Sequence, residues 1–176
     1  MVVPVITGTQ PPGNCVRNFF LMNTRPASDD CLWRVVTLPA IPQAVAHGRA
    51  WSRETLKEWQ LDDMTDVVQQ LVSELVTNSV EHADTCCVRV MLVRMTGTLR
   101  LDVTDDDVVS LPVRAQAGVD DIRGRGLAIV EALSDRWGVH VASCAKTVWC
   151  ELLELGAQAP RGVPGGRPPG LAPWHG

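Results

Sequence analysis

No stretch of this sequence approaches the roughly 18 consecutive apolar residues that a membrane-spanning helix requires. The opening residues, MVVPVITGTQPPG, lack both the basic segment and the long apolar core of an export signal. Neither membrane insertion nor secretion is expected, and a cytoplasmic protein is. A large excess of one charge is also missing. At a net charge of −4 the chain has no general attraction for nucleic acid or an anionic lipid surface. Lysine occurs only at Lys57 and Lys146. The six cysteines form no CxxC pair, which removes the common zinc and dithiol motifs. If adjacent Cys86 and Cys87 lie on a strand they point to opposite faces, which suits neither one metal nor one disulfide. Reduced, mostly buried thiols are expected. A GxxxxGK[ST] phosphate loop, a complete GxGxxG fingerprint and the HRD and DFG signatures of eukaryotic-type kinases are all absent.

What remains is a chain of 176 residues, 45% hydrophobic, with room for one domain and a real core. Residues 1–31 mix Pro, Gly, Asn and Thr without sustained periodicity and are expected to be flexible. Residues 156–176 are dominated by Gly and Pro and are expected to be disordered. The folded domain should therefore cover residues 32–155. Within it, Trp33 to Leu38 reads as a strand, and Gln43 to about Leu61 as a helix. In LDDMTDVVQQLVSELVTNSVEHA, apolar residues from Met64 to Val80 recur at helical spacing, with Asp62 or Asp63 placed to cap the start. Strands from Cys86 and Leu99 join around Gly97. GRGLAIVEALSDRW then reads as a helix opening on glycines, and GVHVAS and KTVWCELLEL as two last strands. This order predicts an α+β fold, a mixed sheet covered on one face by helices.

Three places carry residue types suited to chemistry. Glu74 and Asn78 stand four apart, on one face of the strongest helix, with Gln70 and Glu81 close to the same stripe. Taken alone, that face reads as the solvated side of an amphipathic helix before it reads as a site. An Asn amide oxygen can nevertheless ligate a hydrated Mg²⁺ held mainly by phosphates, and a Glu can accept a proton. Gly124 and Gly126 flank Arg125 at a helix start, where free N–H groups favour an anion. Asp105 ends a strand in the run Asp105-Asp106-Asp107; it could accept the exocyclic amine of adenine, or the run could be a solvated turn. EF-hand spacing is absent there. Thr147 and His82 are unremarkable alone, and the tryptophans at 33, 51, 59, 137 and 149 read as core or interface residues.

The order of these segments says more than any one of them. ELVTNSVEHA, VTDDD, GRGLAIVEALSDRWGV and KTVWCEL, starting at Glu74, Val103, Gly124 and Lys146, resemble the N, G1 and G2 boxes and the final threonine strand of the GHKL (Bergerat-fold) ATPases. Within that superfamily the sequence closely resembles the stand-alone anti-sigma-factor serine/threonine kinases and their histidine-kinase-like ATPase relatives, from about Trp33 to Leu155. The resemblance implies a Bergerat-type two-layer α/β sandwich with a mixed, mostly antiparallel sheet, using ATP and Mg²⁺. Glu74 would be the general base or the acid that orients the nucleophile, Asn78 the Mg²⁺ ligand and Asp105 the adenine contact. Gly124, Arg125, Gly126 and Leu127 would shape the phosphate lid and helix start, with Thr147 supporting the adenine end through its hydroxyl. The implied partners are a sigma factor and an anti-sigma antagonist protein, with a homodimer as the assembly and no direct contact with nucleic acid or membrane. Two departures stand out: the G1 segment has no glycine after Asp105, and Ala145 precedes Lys146 where glycine is usual. They leave open a second reading, a non-catalytic nucleotide-sensing module in which ATP selects the partner.

Overall fold

The computed structural model describes residues 31–108 and 126–154 in full and the backbone of residues 5–8 and 125. Among these residues six strands form one sheet: β1 (Val5–Gly8), β2 (Leu32–Pro39), β3 (Cys87–Met95), β4 (Thr98–Asp105), β5 (Arg136–Val141) and β6 (Lys146–Leu153). Their spatial order is β1-β2-β3-β4-β6-β5. The expected sheet was mixed and mostly antiparallel; each described pairing is antiparallel. Among the described residues three α-helices accompany the sheet: α1 (Gln43–Glu58), α2 (Thr65–His82) and α3 (Arg125–Leu133).

Alternation along the strands sorts the side chains. Val36 and Leu38 of β2, Val88, Val90 and Leu92 of β3, Leu99, Leu101 and Val103 of β4, and Val148, Cys150 and Leu152 of β6 share one core with the helices. The helices answer with stripes at helical spacing: Val68, Leu71, Val72, Leu75 and Val76 from α2, and Leu127 and Val130 from α3. Burying a Leu or Val fully is worth about 1.5–3 kcal/mol, so this interior dominates the energetics. The opposite sheet face divides in two. Its β2–β3 half is apolar, with Cys31, Trp33, Val35, Met91 and Val93; its β4–β6 half carries Arg100, Asp102 and Glu151, all buried.

Several boundaries differ from the sequence reading. Residues Val5–Gly8, within the span read as structureless, pair with β2 from Val5↔Val36 to Gly8↔Trp33; a short β-branched run, Val5-Ile6-Thr7, suffices for an edge strand. Asp62 and Asp63 do not cap α2. They form a 3₁₀ turn with Met64, and Met64 occupies the cap position with no side-chain hydrogen bond. Burial of Met64 and its N–H bond to the Leu61 carbonyl (3.0 Å) set that corner, leaving both acids in solvent. The helix α3 ends at Leu133 rather than running on through Trp137. Ser134 closes it by turning both its N–H and its hydroxyl onto the Val130 carbonyl (3.0 and 2.6 Å), and Trp137 is already in β5 opposite Cys150. Of the five cysteines described, Cys31 and Cys150 are buried, whereas Cys86 and Cys144 are exposed and Cys87 is half-buried, so mostly buried thiols are not what the fold produces. Among the described residues no helix is long and apolar enough to cross a membrane. The glycine- and proline-rich tail and Gly124 lie outside the described residues.

Candidate functional site

The α2 helix is buried along Leu71, Val72, Leu75 and Val76, and this rotation decides where its polar residues go. Glu74 and Asn78 are left half-buried on the flank that meets α3. At their meeting point sits Gly126. A Cβ added there would lie 3.1 Å from Glu74 Oε2, 3.2 Å from Asn78 Nδ2 and 3.4 Å from Asn78 Oδ1. A side chain there would have to push the two polar groups back by a few tenths of an ångström, so glycine lets the first turn of α3 approach them this closely. The adjacent Leu127 points the other way, into the core, and anchors the helix start. Gln70 Nε2 donates to Glu74 Oε1 at 2.6 Å, orienting the carboxylate and leaving Oε2 toward Gly126. Glu81 is exposed, 4.0 Å from His82 Nε2, and is not part of this group.

The second part of the site is the end of β4. Asp105 is 2% exposed, and Asp107 is also buried; only Asp106 of the three is in solvent. The acidic run is therefore not a solvated turn. Ser79 Oγ donates to Asp105 Oδ2 at 2.8 Å, and the Asp107 N–H donates to Asp105 Oδ1 at 3.1 Å. Lys146 Nζ lies 3.3 Å from the same Oδ1. Asp107 Oδ2 in turn accepts the Asp84 N–H (3.3 Å), tying this loop to the segment after α2. Sequence reasoning missed Ser79 and Lys146. Ser79 follows Asn78 directly but faces 100° further round the helix, toward the sheet. Lys146 is the register partner of Asp105 and shares the parity of Val148, Cys150 and Leu152, so alternation along β6 brings it to Asp105 only once the β4–β6 pairing and the helix-facing side are known.

Thr147 is placed differently from the expectation. It pairs with Thr104, and the two hydroxyls are 2.8 Å apart. Because Leu99, Leu101 and Val103 face the helices, Thr104 and Thr147 lie on the opposite sheet face, away from Asp105 and Asn78. The Thr147 hydroxyl is thus turned away from Asp105, beside which it was expected, and Lys146 occupies the inward position. On that opposite face Arg100 binds Asp102 through Nε (3.0 Å) and Glu151 through Nη1 (3.0 Å), with its guanidinium 4.4 Å from the Trp149 ring. Burial pushes the Asp102 carboxyl up to about 6, against the pull of Arg100.

The chemistry available between α2 and α3 is that of a neutral amide and a carboxylate, side by side, against the opening turn of a helix. A helix N-terminus favours negative charge, and an amide oxygen suits a hard cation that keeps several other oxygen ligands. The side chain of Arg125 is not described, and Gly124 lies outside the described residues.

Comparison with known proteins gives the family. Residues 38–149, well over half of the chain, match the family described as the histidine kinase-like ATPase domain. An uncharacterized protein of Streptomyces coelicolor is 36% identical over 84 residues, which cover 46% of this chain and 79% of that protein. The crystal structure of the RsbU and RsbW domains of Rv1364c from Mycobacterium tuberculosis is also similar, with a TM-score of 0.52 and 25% identity over 69% of this chain. Against that larger protein the match covers 32% of its length. With α2, β4 and α3 carrying the boxed segments in the expected order, the chain belongs to the histidine kinase-like ATPase domain family of the GHKL superfamily.

Proposed function

We propose that this protein binds ATP with Mg²⁺ between α2 and α3 and acts as a regulatory serine/threonine kinase in a partner switch. It would phosphorylate an anti-sigma antagonist protein and hold a sigma factor inactive, in the cytoplasm and as a homodimer. The observation that carries the reading is the bare approach of Gly126 to Glu74 and Asn78, a cradle that any side chain would occupy. The donor set fits the group: Asn78 would offer its amide oxygen to the cation, the start of α3 its N–H groups to phosphate, and Asp105 an acceptor to the adenine amine. ATP supplies the phosphoryl group, and Mg²⁺ the charge neutralisation, that phosphoryl transfer needs. Glu74, oriented by Gln70, would take the proton from the attacking hydroxyl.

A second reading is favoured by the state of Asp105, which already holds Ser79, Lys146 and its own loop. An adenine contact so engaged suits a nucleotide sensor that changes partner without turnover. Labelled ATP with candidate antagonists separates the two. Glu74→Ala should cut phosphoryl transfer by about 100-fold or more, with ATP affinity within about threefold of the parent. Tight ATP binding with no transfer in either protein would leave the sensor; absence of ATP binding would remove both.

Gly126→Ala probes the cradle itself. The new methyl group would press on Glu74 and Asn78, while alanine favours the helix by about 1 kcal/mol. The expected result is a melting temperature within a few degrees of the parent and ATP affinity at least about tenfold weaker by calorimetry. Unchanged affinity would place the nucleotide elsewhere.

A further inference from the structure

The two adjacent cysteines do not behave as strand neighbours. Strand β3 begins at Cys87, so Cys86 precedes it and sits in a bend. Thr85 shapes that bend: its hydroxyl donates to the Cys87 carbonyl at 2.8 Å and accepts the Cys87 N–H at 3.4 Å. The Cys86 carbonyl accepts the Ala40 N–H at 3.0 Å, which pins the corner from the other side. The outcome is that both sulfurs turn to the same side. Continuing the β3–β4 register two places past Arg89↔Thr104 brings Asp106 beside Cys87. Both Sγ atoms and an Asp106 carboxylate oxygen lie within 4.8 Å of one another. The opposite orientations expected of Cys86 and Cys87 are therefore not what the structure shows.

We propose that Cys86, Cys87 and Asp106 form a binding site for a thiophilic divalent cation of the zinc type. Tetrahedral zinc–thiolate bonds of about 2.3 Å place neighbouring ligands about 3.7 Å apart, so rotamer adjustment of exposed side chains is enough to close the set. Two sulfurs select against Mg²⁺ and Ca²⁺ and favour a borderline-soft ion. Three protein ligands leave a fourth position for water or an exogenous donor. Asp106 is the acid available for this task, since Asp105 and Asp107 are buried and bonded within the loop. Cys86 and Asp106 are exposed, which gives the ion a path in. The Cys87 thiol is pushed up first by burial, then by the hydrogen bond and charge of Cys86, with Asp106 adding repulsion and Arg89 opposing it. A bound cation would cancel the like-charge part.

The ion would clip the start of β3 to the loop after β4 and thereby stiffen the end of the sheet. The test uses the full chain under a phosphine reductant, with Co²⁺ as probe and Zn²⁺ as competitor, and needs no nucleotide. A thiolate-to-cobalt charge-transfer band should saturate at one equivalent and vanish on adding Zn²⁺. Cys86→Ser and Cys87→Ser should each weaken the site at least about tenfold and dim the band, and Asp106→Asn should weaken it with the band retained. Cys144→Ser should change nothing. Zn²⁺ should raise the melting temperature of the parent but not of Cys86→Ser, as binding to the folded state requires. Absence of the band in the reduced parent, or a band that Cys144→Ser removes and Cys86→Ser spares, would overturn the site.

Discussion

Arg100→Met should destabilise the protein by about 3–5 kcal/mol, the cost of stranding a buried carboxylate whose cation has been removed. Arg100 is 3% exposed and Asp102 is 1% exposed. In the parent, Arg100 Nε bonds both Asp102 oxygens, at 3.0 and 3.3 Å. Glu151 keeps a second cation, Arg136 at 3.4 Å, so the loss falls mainly on Asp102. The same cluster gives a pH dependence of defined sign. Asp102 takes up its proton near pH 6 when folded and near 3.8 when unfolded. Between those values the folded state binds more protons, so this group's contribution falls as pH rises from about 4 through 6. Without Arg100 the folded carboxyl would hold its proton to still higher pH, and the variant should recover more stability than the parent between pH 7.5 and pH 5. Urea midpoints at both pH values measure this. A loss below about 1 kcal/mol at pH 7.5 would show that water or relaxation reaches the cluster. Replacing Arg100, Asp102 and Glu151 together with apolar residues should restore most of the stability, since the cost arises from breaking the group rather than from lacking it.

Asn78→Ala is expected to weaken Mg-dependent ATP binding by about 100-fold, with little change in fold stability because Asn78 is half-buried and outside the packed stripe of α2. Calorimetric titration with Mg²⁺, and again with a chelator, separates the ion's contribution from that of the base. The gap between the two titrations should be large in the parent and nearly absent in the variant. Near-normal affinity with Mg²⁺ present would remove Asn78 from the site and with it the proposed place of the phosphates.

Much of the architecture was legible in advance because period is a local property. The 3.6-residue repeat of Val68, Leu71, Val72, Leu75 and Val76 marks α2, and the alternation of Leu99, Leu101 and Val103 marks β4, without knowledge of any partner. Helix ends were less legible. Trp137 continues the apolar rhythm of α3, yet the strand pairing with Cys150 captures it. The acids at Asp62 and Asp63 look like caps, but burial of Met64 sets the corner instead. In the candidate site, Glu74 and Asn78 could be assigned to one helix face from spacing alone. Their proximity to Gly126, some fifty residues on, rests on how α2 and α3 pack. Lys146 and Ser79 escaped notice because their importance comes from a third residue, Asp105, on another strand.

The chain by itself determined the three helices, strands β2 to β6 and the order of the boxed segments, since hydrophobic period and glycine placement act within a few residues of one another. It also determined that Thr147 and Lys146 point in opposite directions, though not which of them turns inward. That choice came from the tertiary structure: β6 packs Val148, Cys150 and Leu152 against the helices, and the parity of this apolar set carries Lys146 to Asp105 and Thr147 to the far face. The same holds for Cys86 and Cys87, whose sulfurs converge because β3 starts one residue later than their sequence alone would place it. In both cases one residue of register decides what the side chain meets, and register is set by burial across the sheet rather than by the residues in question.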